Sequence, residues 1–163
     1  MHLGMNWRIA VFLVVVLAPF AWALWQFASY RPIIDRGDYK EVDLKAMSNF
    51  EMDQVFATDA DIPKQFRDLD GQRVLMIGEM WAPYSVDGRL GGFDLCYSIA
   101  KCCFSGPPKI QHFVKASVPK GRQAHYYEGP VKVLGTLRVG IEHQDGRIAS
   151  IYRVEVESVA PAG

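Results

Sequence analysis

"GPVKVLGTLRVGIEHQDGRIASIYRVEVESV" (residues 129–159) decides the fold. Two long apolar runs flank HQDGR, and Asp145-Gly146 is the dipeptide that a two-residue hairpin turn demands, because both central positions need a positive φ. In the second run Ile148, Ser150, Tyr152, Val154 and Val156 alternate with Ala149, Ile151, Arg153 and Glu155, the period of a strand with one buried face. Gly135 interrupts the first run, and a glycine inside a strand marks a bulge or a sharp bend. The stretch therefore predicts two long paired strands, the first of them bent.

Working outward, QRVLMIGEMWAP (72–83) repeats the pattern. Val74, Met76 and Gly78 fall on one face, Leu75, Ile77 and Glu79 on the other, again with an interior glycine. SVDGRLGGFDL (85–95) carries Asp87-Gly88 as a second hairpin signal, with Phe93 and Leu95 opening the return strand. KIQHFVKASV (109–118) sets Ile110, His112, Val114 and Ala116 against Gln111, Phe113, Lys115 and Ser117. Upstream, DIPKQFRDLDG (61–71) predicts a helix of one or two turns, capped by Asp61, with Pro63 in its first turn and Asp70-Gly71 as the stop. Leu44, Met47, Phe50 and Val55 fit one more short helix. Five strands and almost no helix after residue 70, with glycines at bends, predict a mainly β fold: a small five-stranded OB-like barrel, with an open β-sandwich as the alternative.

The N-terminus has a different chemistry. Residues 9–28, IAVFLVVVLAPFAWALWQFA, carry no charge, and 20 residues at 1.5 Å rise span about 30 Å, the hydrocarbon thickness of a bilayer. Trp7 at one end and Trp22, Trp25 and Tyr30 at the other suit the interface. The reading is a single-pass anchor or uncleaved signal at 9–28 after a short tail (1–8), then a tether and entry segment (29–60), the OB-like β domain (61–159) and a disordered C-terminus (160–163). A cleaved signal peptide ending at AWA (21–23) is the alternative. Arg31, Arg36, Lys40 and Lys45 after the span outnumber Arg8 before it, which on the positive-inside rule favours a cytoplasmic C-terminus; the short N-terminal tail is instead the layout of an export signal.

All three cysteines lie in FDLCYSIAKCCFSGPP (93–108): Cys96, Cys102 and Cys103. A disulfide from Cys96 to Cys102 or Cys103 would pin this connection in an oxidising compartment. The alternative is a Zn or Cu site in which the thiolates join His112, or else His125 or His143, although no zinc-type Cys spacing is present. Phe104 is the natural plug for the loop, and Pro107-Pro108 stiffen its exit. Glu79, Trp81, Tyr84 and Phe104 form a possible ligand face.

IPKQFRDLDGQRVLMIGEMWAP, CCFSGPPKIQHFVKASV and the 129–159 stretch together resemble an uncharacterised bacterial family of exported, often lipoprotein-type domains of unknown function. The resemblance covers about residues 60–157 and runs through Ile62-Pro63, Leu69-Asp70-Gly71, Cys102-Cys103-Phe104, Pro107-Pro108, Gly135-Thr136-Leu137-Arg138-Val139 and Ser150-Ile151-Tyr152-Arg153. Three features depart from that pattern: Ser105-Gly106 after the Phe, Glu79 inside the Gly-x-Met, and an apolar helix where a lipid anchor is usual. The resemblance implies export and a barrel-like fold, and it implies no reaction.

Composition narrows the function. Eighteen basic and eighteen acidic residues leave a formal net charge of zero, whereas a nucleic-acid domain usually shows a basic face. No C-x-x-C pair, G-x-S-x-G elbow or phosphate-binding loop occurs, so no enzyme is expected. The expected function is a membrane-anchored, extracytoplasmic, non-enzymatic binding or accessory domain on the inner membrane, without a resident cofactor. It would present residues 79–106 to an envelope protein or small ligand, for example as a component of an envelope transport assembly. A Cys/His metal protein binding Zn or Cu, or a thiol-redox protein, is the alternative.

Overall fold

The computed structural model describes residues 7–82, 89–104 and 106–163; for residues 8–10, 27, 89, 103 and 104 it describes the backbone alone. The chain divides into two compact units, 1–31 and 32–163.

The first unit is one helix, α1 (Trp7–Ser29), with Pro19 inside it. Its apolar side chains stand open on every side, Phe12, Val15, Phe20, Leu24 and Trp25 among them. A bilayer crossing needs about 20 consecutive apolar residues, and side chains are described without a break only over 11–26. Among the described residues no helix is long and apolar enough to cross a membrane. They therefore do not meet the expectation of a span at 9–28.

The second unit is mainly β. Nine strands occur among its described residues: β1 (Ile33–Asp35), β2 (Lys40–Val42), β3 (Arg73–Trp81), β4 (Arg89–Leu90), β5 (Gly92–Cys96), β6 (Val114–Ser117), β7 (Ala124–His125), β8 (Pro130–Gln144) and β9 (Arg147–Pro161). Seven of them form one sheet in the order β1-β2-β3-β5-β6-β9-β8, and a further β3–β8 pairing closes β3, β5, β6, β9 and β8 into a ring of five strands. That closure rules out the open sandwich. Within the ring β6 and β9 are parallel and every other neighbour pair is antiparallel.

The five long predicted strands are those of the ring, and the turn at 145–146 is the expected one, with φ of 53° at Asp145 and 75° at Gly146. The register explains the alternation read from sequence. Met80 faces Leu95, Leu95 faces Val114, Val114 faces Tyr152 and Tyr152 faces Val139, and this row points into the ring. Val74, Met76, Val131, Val133, Leu137 and Val154 complete a core with almost no solvent exposure.

Three expectations change. Residues 33–42, read as tether, form the β1–β2 hairpin, which joins the sheet through a parallel β2–β3 pairing, while α2 (Leu44–Ser48), capped by Asp43, stands where Leu44 and Met47 predicted a short helix. Their polar composition is that of an exposed sheet edge, not of a free linker. Residues 110–112 are a 3₁₀ turn, so the strand begins only at Val114, and Gln111 is buried there by bonds to Gln54 and to the Phe50 carbonyl. The C-terminal strand runs to Pro161, and Ala162 N–H still donates to the Pro130 carbonyl. The predicted short helix at 61–71 is α3 (Lys64–Arg67), preceded by a 3₁₀ turn at Asp59–Asp61. The hairpin turn expected at Asp87-Gly88 lies outside the described residues.

Candidate ligand groove

The ring's outward face carries a second row. Trp81 on β3 faces Asp94 on β5, Asp94 faces Lys115 on β6, and Lys115 faces Arg153 on β9. Residues directly opposed across antiparallel strands leave the sheet on the same side with Cβ atoms about 5 Å apart. Four strands thus line up an aromatic plate, a carboxylate, an ammonium and a guanidinium.

A cavity of about 530 Å³ is lined by Trp81, Asp94, Lys115 and Arg153 of this row, together with Leu90 and Gly91. Asp94 and Lys115 also border a neighbouring cavity of about 200 Å³ with Lys109, Ile110 and Phe113. Lys115 borders a third, of about 620 Å³, with Gln144, Asp145 and Arg147. Lys115 lines all three cavities and Asp94 two of them, so they adjoin along the β5–β6 face, and together they form the candidate groove.

Burial pushes the Asp94 carboxyl above its ordinary pKa, and Lys115 nearby pulls it back. Lys115 enters no ion pair within 4 Å among the described residues. Arg153 is held instead: its Nη1 donates to the Gly140 carbonyl at 3.2 Å, to Ser150 Oγ at 3.2 Å and to Glu142 Oε2 at 3.4 Å. Arg153 therefore shapes the wall, while Asp94 and Lys115 keep polar atoms for a ligand.

Of the residues picked from sequence, Trp81 lies in the groove at 40% exposure. Glu79 serves another purpose. Its Oε2 accepts from the Ile99 backbone N–H at 2.7 Å, which ties β3 to the start of α4 (Ile99–Phe104), the helix that carries Cys102 and Cys103. Cys96 faces Glu79 across the β3–β5 ladder, and its thiol donates to the Glu79 carbonyl at 3.8 Å. Cys96 and Cys102 are both buried. Tyr84 and the side chains of Cys103 and Phe104 lie outside the described residues, so neither the bridge to Cys103 nor the Phe104 plug is placed.

His112 sits in the 3₁₀ turn, half-buried, with a buried Nδ1 that has no hydrogen-bond partner among the described residues. Burial and the neighbouring Lys109 lower its pKa, and Glu51 opposes them. Among the described residues no group of three His, Cys, Asp and Glu side chains is placed to hold a metal ion.

Asp94, Lys115 and Arg153 were not singled out from sequence. Asp94 stands in the middle of β5. Only the register, which sets it between Trp81 and Lys115, reveals it.

No family model matches the chain, and no curated protein matches it. Among solved structures it is similar to a DUF3299 family protein from Pseudomonas aeruginosa PAO1, with a TM-score of 0.52 and 20% sequence identity over 78% of this chain and 98% of that one. At that identity the likeness is one of fold. It agrees with the resemblance to a bacterial domain of unknown function and does not bear on the motifs that carried that resemblance.

Proposed function

We propose that this is a non-enzymatic binding domain, held at the inner membrane by its N-terminal helix with the β unit outside the cytoplasm, and that its working surface is the groove over Trp81, Asp94 and Lys115. The observation that carries the reading is that outward row. A sheet face meant only for solvent has no need of an exposed tryptophan beside a half-buried carboxylate along a cavity.

The strand order supports an OB-like reading of the ring. Folds of that type bind ligands on their second and third strands, between the first-to-second and fourth-to-fifth loops. The groove lies on β5 and β6, between Ala82 and Leu90 on one side and Gln144, Asp145 and Arg147 on the other. Fold alone assigns no ligand, so the residues carry the proposal. The membrane tether rests on α1 being apolar all round, a surface that water does not tolerate and lipid does. The buried Cys96 and Cys102 belong to packing around α4, in this reading, and the cysteine cluster is structural.

Photo-crosslinking in intact cells tests the reading. A crosslinker placed at Ser117, in the groove, should yield a discrete adduct that Trp81→Ala abolishes. One at Lys132, on β8 outside the groove, should yield none. Equal labelling from both positions would overturn the assignment of this face.

A further inference from the structure

Resting on the groove reading above, we infer that its ligand is an oligosaccharide, bound with one pyranose ring against Trp81 and its hydroxyls on Asp94 and Lys115. Opposite charges stand side by side in the groove, Asp94 facing Lys115 across the β5–β6 ladder. A polyanion threading the groove would meet Asp94, and a polycation would meet Lys115. An uncharged polyhydroxyl chain satisfies both, because hydroxyls donate to a carboxylate and accept from an ammonium.

The apolar part of the site matches the same chemistry. The C–H face of a sugar ring packs on an exposed indole, and Trp81 stands directly opposite Asp94, so one ring can stack and hydrogen-bond at once. Gly91, where an added Cβ would meet no heavy atom within 4 Å, leaves the approach open. The groove's continuation past Lys115 toward Arg147 suits a chain of several rings rather than one.

Two other polymers fit less well. An extended peptide gains its affinity by adding a strand to a free edge, but β5 is paired on both sides by β3 and β6, and β6 by β5 and β9. Single-stranded nucleic acid needs a continuous basic track, which Asp94 interrupts.

The test uses the full chain in lipid nanodiscs, since glycoside detergents would compete. Tryptophan fluorescence and calorimetry would follow titration with cellotetraose, chitotetraose and maltotetraose, with an octathymidylate as the polyanion control. At least one saccharide should bind saturably, with little change between low and high salt. Trp81→Ala and Gly91→Leu should each weaken it about tenfold or more, the loss expected of one central aromatic anchor. Gly91→Leu fills open space and so separates a blocked groove from a misfolded one.

Failure of all three saccharides, with the Ser117 crosslink still dependent on Trp81, would overturn the sugar and leave the groove. Saturable octathymidylate binding that falls steeply with salt would do the same. Loss of both the saccharide signal and the groove-specific crosslink would overturn both readings.

Discussion

Gly78 and Gly135 are the residues on which the closed ring turns. A Cβ at Gly78 would strike the Cys96 carbonyl oxygen and come within 2.6 Å of Leu44 Cδ1; one at Gly135 would strike the Glu155 carbonyl oxygen and come within 2.9 Å of Val154 Cγ2. Neither obstacle is a flexible side-chain end alone, because backbone is in the way at both. Gly78→Ala and Gly135→Ala should each destabilise the protein by about 1–3 kcal/mol, read as a lowered urea midpoint, while Gly91→Ala should leave it unchanged. Two titrating residues add opposite pH dependences. The half-buried Asp94 holds its proton more tightly folded than unfolded, so folding is penalised as pH rises through that raised pKa, and the penalty is absent below the ordinary aspartate range. Asp94→Asn should raise Tm more at pH 7 than at acid pH. His112 is lowered, so the unfolded chain binds its proton more readily and stability falls as pH drops through and below the ordinary histidine pKa. His112→Gln should flatten that fall, and a Tm profile that keeps its slope would contradict the assignment.

At the scale of elements, the short connections are held by carboxylates aimed at backbone. The β3–β8 pairing ends at Arg73–Thr136, so Val139 and Ile141 lie past the last β8 residue that β3 pairs, next to a register shift of the β8–β9 ladder around Gly140 with its φ of 146°. Asp70 Oδ1 accepts from Val139 N–H at 2.9 Å, and Asp59 Oδ1 accepts from Ile141 N–H at 2.7 Å. The segment leading into β3 is thereby fastened to the far strand of the ring, and Gly71 and Gln72 extend the fastening through backbone bonds to Leu137. Asp59→Ala and Asp70→Ala should each cost about 1–2 kcal/mol, near the low end for bonds to a charged group because both carboxylates are exposed. Hydrogen exchange should quicken at Ile141 in the first variant and at Val139 in the second; unchanged protection would show that other groups hold the bulge. Glu79→Ala should likewise quicken exchange at Ile99 and loosen α4, and Glu79→Gln, which keeps an acceptor, should do so less.

For the whole molecule, the two units differ in how their apolar surface is covered. The β unit buries its own core around Tyr152, whose hydroxyl donates to the Met47 carbonyl at 3.3 Å and whose phenol burial holds far above its ordinary pKa. It has what it needs to fold in water. The apolar surface of α1 has no such cover within its own unit. Residues 32–163 expressed alone should unfold in one cooperative step, and the full chain should sediment with membranes and resist alkaline extraction. A full chain that stays in the supernatant without detergent would refute the tether. A reporter active only outside the cytoplasm, fused after Gly163, should be active; activity of an inside-only reporter would vindicate the cation count around the helix.

Local rules made much of this fold legible in advance. The turn at Asp145-Gly146 follows from backbone sterics, and the alternation from Ile148 to Val156 and from Val74 to Gly78 follows from the two-residue repeat of a strand. Both hold whatever the strands pair with. Charge balance and the apolar run of α1 are likewise sums over residues that need no partner. What the chain could not announce was pairing across distance. Asp94 and Lys115 are 21 positions apart, and nothing near either one marks them as neighbours; only the β5–β6 register does. Glu79 reads as a ligand-face residue until its bond to the Ile99 amide ties it to α4, and residues 33–42 read as tether because edge strands carry linker-like composition. Strand periodicity tells which face a side chain takes, and register tells whom it meets. The groove is made wholly of the second kind of information.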